Sequence, residues 1–279
     1  MPVTAVLRYA AVGIPFAIDC DDGEFRRVLA QDLEALEDCA PGAAPALTYR
    51  VARGLDEGFV IRRNHTVLHA VSVADAAYAI EKDLTLELQR RRQELCFFHA
   101  AAVEFDGHAY LLAAESGNGK STMTWALLHH GFRYLTDELS AVDVPALEVH
   151  GFPYALSLKA PPPSPFGLPA VALVLDNLLH IPVRSMPRGA LRMPVPIAGV
   201  FLIEYRPGRQ HPIARPISAA EAASRLYVCL LNALAHPEHG LDAVLNLVSR
   251  VPVFALETAD PESTCRLISG IVTGSVAIP

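Results

Sequence analysis

The chain has 279 residues, of which 52% are apolar and 19% charged, and its formal net charge is −7. That is enough apolar material for one large domain or two modest ones, and an acidic balance with no long basic run excludes non-specific nucleic-acid binding. No run of about 18 uncharged apolar residues appears, so no membrane span is predicted.

Five scattered cysteines (Cys20, Cys39, Cys96, Cys229 and Cys265) have no C-x-x-C spacing, which argues against a disulfide or zinc framework. Arg8 and Asp19 interrupt the mildly apolar N-terminus and no cleavage-site pattern follows, so a reducing, cytoplasmic setting is expected.

Residues 3–19 read as two strands broken at Gly13-Ile14-Pro15. Over 24–39, Phe25, Val28, Leu29, Leu33 and Leu36 form a helical stripe, and Pro41-Gly42 ends it. Two more strands are predicted at 47–53 and 59–73, the second folding over at Asn64-His65. This strand–helix–strand–strand block predicts a small α+β N-terminal domain, residues 1–75, ahead of a second domain, residues 76–279. A helix over 75–95 carries Ala77, Ile80, Leu84 and Leu88 on one face; Arg90-Arg91-Arg92 near its end complement the helix dipole.

Apolar runs at 97–105 and 108–113 meet at Asp106-Gly107, a two-residue hairpin signal. A helix follows at about 120, Gly131 is its natural C-cap, and 132–136 reads as a strand ending at Asp137-Glu138. Beyond the proline-rich stretch Pro161-Pro162-Pro163-Ser164-Pro165 come a strand at 199–205 and a helix opened by the capping box Ser218-Ala219-Ala220-Glu221, running to about 235. Asp260-Pro261 caps a terminal helix.

The chemistry concentrates in Ala114-Glu115-Ser116-Gly117-Asn118-Gly119-Lys120-Ser121-Thr122. A buried strand, a glycine-bearing turn and a helix start is the context of a phosphate-binding loop. The glycines let successive N–H groups turn inward, and the helix adds the positive end of its dipole. Ser116, Gly117, Asn118, Gly119, Lys120, Ser121 and Thr122 are therefore expected to hold a nucleotide, with Lys120 on the β- and γ-phosphates and Ser121 on Mg2+. The usual first glycine is Ala114, which fits where φ stays negative.

Such a site needs a second acidic element, because a metal bridging two phosphates still wants a protein carboxylate. Asp137 and Glu138 supply it, and strand alternation predicts that they point to opposite faces and do different jobs. One can hold the metal or its water while the other takes a proton from an attacking hydroxyl.

Together, the loop from Glu115 to Ser121, the run His130-Gly131-Phe132-Arg133-Tyr134-Leu135-Thr136-Asp137-Glu138 and the upstream His99-Ala100-Ala101-Ala102 resemble the bacterial HPr serine kinase/phosphorylase family. That family carries G-E-S-G-x-G-K-S, a short helix, a glycine and a strand ending in an Asp-Asp pair at the same interval. The resemblance covers about 40 residues, 99–138, and its motifs together are far more specific than the phosphate loop alone.

It implies an α/β fold with the P-loop core shared with phosphoenolpyruvate carboxykinase. It also implies an ATP- and Mg2+-dependent kinase acting on a serine of a small protein or peptide. By position, Asp137 would be the metal-side carboxylate, Glu138 the general base and His99 a neighbour of the transferring phosphate. Glu138 stands where the family has aspartate, and the family's downstream E-x-R-G-type signature is not found. In this the chain resembles a divergent branch that lies beside peptide-modification genes, including lasso peptide clusters. Kinases of this kind often assemble as hexamers, so the resemblance implies a homo-oligomer. A small-molecule kinase and an ATP-binding regulatory module are the other readings.

Further candidates are weaker. Lys159 could reach a phosphate from a strand end, and Arg188 and Arg192 could stabilise transferring charge; an ordinary surface cation is the commoner outcome for each. His236, Glu238 and His239 lack helical metal spacing and are broken by Pro237.

Overall fold

In the computed structural model, residues 6–37, 44–54 and 57–276 are described. Cys39 and the predicted stop at Pro41-Gly42 lie outside them, as do residues 3–5 of the first predicted strand. The described residues form a mixed α/β structure with three sheets.

The first sheet has the order β1-β2-β3-β4-β5: β1 Leu7–Ala11, β2 Ile14–Cys20, β3 Leu47–Arg53, β4 Phe59–Arg63 and β5 Thr66–Ala70. The break between β1 and β2 falls at Val12-Gly13, both at positive φ, rather than at Gly13-Ile14-Pro15. Two such residues make the turn whose twist matches an antiparallel pair, so Ile14 and Pro15 are freed to join β2. Helix α1, Gly23–Asp32, is shorter than predicted, and a 3-10 turn over Glu34–Leu36 follows it. Phe25, Val28, Leu29, Leu33 and Leu36 are nonetheless all buried. Helix α2, Val73–Arg91, is capped by Ser72, which ends β5 earlier than expected. It packs on α1, β4 and β5, with Ile80, Leu84 and Leu88 buried.

The second sheet carries the site. Its strands run β6-β10-β11-β15-β8-β7-β9, and β17 pairs with both β15 and β16. The ranges are β6 Cys96–Phe98, β7 Ala100–Phe105, β8 His108–Ala113, β9 Arg133–Thr136, β10 Ser140–Asp143, β11 Glu148–His150, β15 Val195–Tyr205, β16 Ile213–Pro216 and β17 Val253–Thr258. Strands β8, β15 and β17 are parallel, while β7 is antiparallel to both β8 and β9. The ends of β8, β9 and β15 and the start of β7 therefore meet at one edge, the edge at which open sheets present loops to ligands.

A small third sheet pairs β12 (Leu156–Leu158) and β13 (Leu173–Leu175) with β14 (Leu178–Ile181). Helix α3, Lys120–His129, covers one face of the second sheet through Met123, Trp125, Ala126, Leu127 and Leu128. Helices α4 (Ala219–Tyr227) and α5 (Leu241–Arg250) cover the other, and α6 (Pro261–Val272) packs beside α3.

Two predicted elements break where tertiary pairing takes over. The apolar run 97–105 divides at His99, because β6 pairs with β10 while β7 pairs with β8. Helix α4 stops at Tyr227 instead of near 235: the chain there turns to the edge of β6, where His99 N–H donates to Cys229 O (2.7 Å) and Leu231 N–H to Phe97 O (2.8 Å). An open strand edge has unmet donors and acceptors, and meeting them outweighs another turn of helix.

Candidate active site

Strand β8 reaches the loop through a buried run, Ala109, Leu111, Leu112 and Ala113. Ala114 is buried and is not among the residues at positive φ, the condition under which alanine can replace the usual glycine. Gly117 (φ +90°) and Gly119 (φ +80°) are in the left-handed region that disfavours side chains. A Cβ on either would meet nothing within 4 Å, so the backbone faces open space there. Asn118 holds the turn: its N–H donates to Glu115 O (3.2 Å), and its side-chain oxygen accepts from the N–H of Tyr205 at the end of β15 (3.2 Å).

Helix α3 then starts bare. Asp22, Ser72, Ser218 and Asp260 cap α1, α2, α4 and α6 through their side chains, whereas Gly119 offers α3 none and no acidic residue lies in its first turn. Its first N–H groups and its positive dipole end are left uncompensated, an arrangement suited to an anion. Helix α5 shares the bare start behind Gly240 but has Asp242 in its first turn.

Lys120, the first residue of α3, is buried and drawn to the end of β9. Its ammonium donates to Asp137 O and to Glu138 Oε1 (3.1 Å), and lies 3.7 Å from Asp137 Oδ1. The second oxygen of Glu138 faces His99 Nδ1 at 3.2 Å. Contrary to the alternation expected of a strand, Asp137 and Glu138 lie beyond the last residue of β9 and bracket one ammonium. They differ instead in exposure: Asp137 is fully buried and Glu138 is 40% exposed. Burial pushes the Asp137 carboxyl up from the ordinary carboxylate range, with Lys120 pulling it back and Glu138 pushing further. Neither Asp137 oxygen has a well-formed hydrogen bond, and its polar neighbours are the Ser121 hydroxyl and the Lys120 ammonium.

Those two orphaned oxygens are the test of whether a metal fits. A buried carboxylate short of hydrogen bonds costs free energy, which the Lys120 ammonium at 3.7 Å offsets without returning the carboxyl to its ordinary range, and the hydroxyl of Ser121 faces it. Among the described residues no group of three or more His, Cys, Asp or Glu could hold a metal alone. Mg2+ commonly takes one or two carboxylates and draws its other ligands from phosphates and water, and Asp137 with Ser121 fits that pattern.

The other predicted residues separate. Lys159, just past β12, reaches the loop, with its ammonium 3.4 Å from Ser116 Oγ. Thr122 lies in the first turn of α3 and is half-buried. Arg188 lies at the opposite end of the sheet, near Gly131 and Glu104. Arg192 donates to Glu37 O (3.0 Å) and Ala10 O (3.2 Å), tying the core to the first sheet. Arg90 and Arg91 pair with Glu87, and Arg92 with Glu94 and Val12 O. His236 Nε2 lies 3.7 Å from Cys96 Sγ.

Sequence reasoning missed Tyr205, whose backbone anchors Asn118 from 87 residues away, and it missed the loop that follows. Residues 206–213 form an open concavity of about 520 Å3, lined by Arg206, Gly208, Arg209, His211 and Ile213 among others. No local motif marks either one. No helix among the described residues is long and apolar enough to cross a membrane.

No protein-family model matches the chain. No curated protein matches it either. Among solved structures it is similar to the HPr(Ser) kinase/phosphatase from Coxiella burnetii, at 13% identity and a TM-score of 0.33, over 64% of this chain and 95% of that one. So distant a likeness assigns no role to any residue.

Proposed function

We propose that this protein is an ATP- and Mg2+-dependent kinase that transfers the γ-phosphate to a serine hydroxyl of a small protein or peptide. One observation carries the reading: at an uncapped helix start, Lys120 is held by Asp137 and Glu138 while His99 faces the other oxygen of Glu138. In a nucleotide complex Lys120 and the N–H groups after Gly117 hold phosphate, and the concavity at 206–213 takes the nucleoside. Ser121 and Asp137 hold Mg2+, which neutralises charge on the phosphates when bound.

Glu138, released from Lys120, accepts the proton of the acceptor hydroxyl, and His99 orients that carboxylate. Lys159 adds a second cation on the open side of the loop. The half-exposure of Glu138 and His99 (40% and 36%) leaves the acceptor side accessible to a polypeptide, which favours a peptide over an enclosed small molecule. The fold reading that goes with this is a core like that of the HPr kinases and phosphoenolpyruvate carboxykinase, preceded by an α+β unit.

The test is phosphotransfer from γ-labelled ATP to small proteins and peptides encoded beside the gene, read by mass spectrometry. A serine gains one phosphate with the native protein, and Glu138→Gln and Lys120→Ala lower the rate by about a hundredfold or more, the size of a lost general base or phosphate cation. Unchanged transfer in both variants would refute the assignment.

A further inference from the structure

Between Arg225 and His236 the chain carries no charged side chain. Such a run is ordinary core material, and part of this one is used that way. Leu226 and Leu230 are buried. Asn232, also buried, fastens the segment to the start of β6, donating to Leu95 O (2.8 Å) and accepting from Phe97 N–H (2.9 Å). The rest faces outward. Val228 is 73% exposed, Leu234 is 87% exposed and Leu231 is half-exposed between them. Leu241 and Leu245, one turn apart on α5, are exposed as well. The two groups adjoin, because Tyr227 OH donates to His239 O (3.1 Å) and Gly240 backs onto Leu230 and His236. A single exposed apolar side chain is unremarked in any protein, but this many on one anchored segment form a patch.

The patch begins beside the groups proposed to transfer phosphate. Cys229 O takes the N–H of His99 (2.7 Å), and the Cys229 thiol is close enough to Glu115 and Lys120 to feel both charges. Val228 is the next residue along, and the ties of Asn232 and Leu231 to β6 hold the segment in place. A charged side chain laid on the patch would lose water and find no counter-ion among these five residues. Their exposed surface amounts to a few hundred Å2, a scale that suits a short polypeptide stretch. It falls short of the roughly 800 Å2 per partner that a stable dimer buries.

We infer that Val228, Leu231, Leu234 and Leu241 dock an apolar side chain of the acceptor polypeptide, close in sequence to its phosphorylated serine. The inference rests on the kinase reading, in which Glu138 and His99 mark where the serine enters. An extended chain advances about 3.3 Å per residue, so a leucine-sized residue roughly one to four positions from the serine reaches the patch. Covering the exposed leucines removes apolar surface from water on both partners, which supplies affinity without fixing a precise contact.

Synthetic peptides test this, each with one serine and one leucine moved through the flanking positions, or with asparagine in place of that leucine. The same set with alanine for serine is measured by fluorescence anisotropy, which needs no turnover. For at least one position the leucine peptide should bind about tenfold more tightly than its asparagine twin, the size of one buried apolar side chain. Leu234→Glu and Val228→Asp should each weaken that leucine peptide to the level of its twin and raise its KM about tenfold. Both side chains are exposed, so neither change disturbs the core. Val71→Glu, at a comparably exposed position just past β5, should keep the preference. Equal or absent binding of every leucine and asparagine pair would overturn the inference, as would a preference that survives both patch variants. So would sedimentation in which Leu234→Glu splits a dimer and the preference stays, since the patch would then hold a second copy of the chain. Transfer that survives Glu138→Gln would instead strike the kinase reading itself, and with it the acceptor as occupant.

Discussion

Two buried carboxylates stand at opposite ends of the same strands, and they are treated differently. Glu104, at the hairpin end of β7, is 2% exposed, takes the N–H of Gly107 (2.5 Å) and pairs with Arg133. That guanidinium holds its carboxyl below the usual range. Asp137, at the end where the glycine-bearing loop lies, is wholly buried, has the Lys120 ammonium 3.7 Å away and is pushed up by desolvation. Folding satisfies the first and leaves the second with a cation, Lys120, that it shares with Glu138. A sheet can tolerate such a deficit at one edge when the other is well tied, and the deficit marks where binding energy is to be gained.

The largest effect should come from the unsatisfied acid. Asp137→Asn is expected to cut transfer by about a hundredfold, through lost metal binding, while raising the thermal midpoint of the ligand-free protein by a few degrees. The sign follows from the raised carboxyl. A folded-state pKa above the unfolded value means the charged form costs stability at neutral pH, and a neutral isostere relieves that cost. Calorimetric melting without ligand, compared with a transfer assay, reads both halves.

Glu104→Gln should do the reverse. Its lowered carboxyl contributes stability that is present above the unfolded value and lost as pH falls through the folded one. The substitution should therefore lower stability by about 1–2 kcal/mol in urea unfolding at neutral pH, toward the low end because Arg133 can rehydrate. Transfer activity should be unchanged.

A smaller effect is expected from Glu81 of α2 and His180 of β14, which neither carboxylate involves directly. Glu81 is raised from 4.5 to about 7 by burial, and His180 is raised because Asp32 outweighs its desolvation. Both contribute stability that is complete below their unfolded values and lost as pH rises through the folded ones. Unfolding free energy should thus decline across pH 4.5 to about 7, and Glu81→Gln should flatten the slope. Smallest of all, Asp260→Ala removes the N-cap of α6, where Asp260 accepts from Ser263 N–H at 2.8 Å, and should cost about 1 kcal/mol without touching transfer.

Much of this was legible in the sequence because it is local. The strand, glycine turn and helix start predicted around residues 109–122 lie within a few residues of one another, with Gly117 and Gly119 at positive φ and Lys120 opening α3. Asp106-Gly107 turns with both residues at positive φ, and Asp260 and Ser218 cap as their motifs require. What escaped is long-range. β17 and α5 were not predicted, since the apolar runs that form them carry no turn or cap signal as strong as those elsewhere. Lys159 looked like a surface cation because nothing in its neighbourhood shows that the chain returns to Ser116, 43 residues earlier.

The measurement closest to the central claim is calorimetric titration of Mg2+-ATP into the native protein and into Asp137→Asn, with Glu104→Gln as the control. Binding to the native protein and to Glu104→Gln with equal affinity, and at least about tenfold weaker binding to Asp137→Asn, is the result expected of a buried acid that ligates the metal. Equal affinity in all three, or no binding to any, would contradict it.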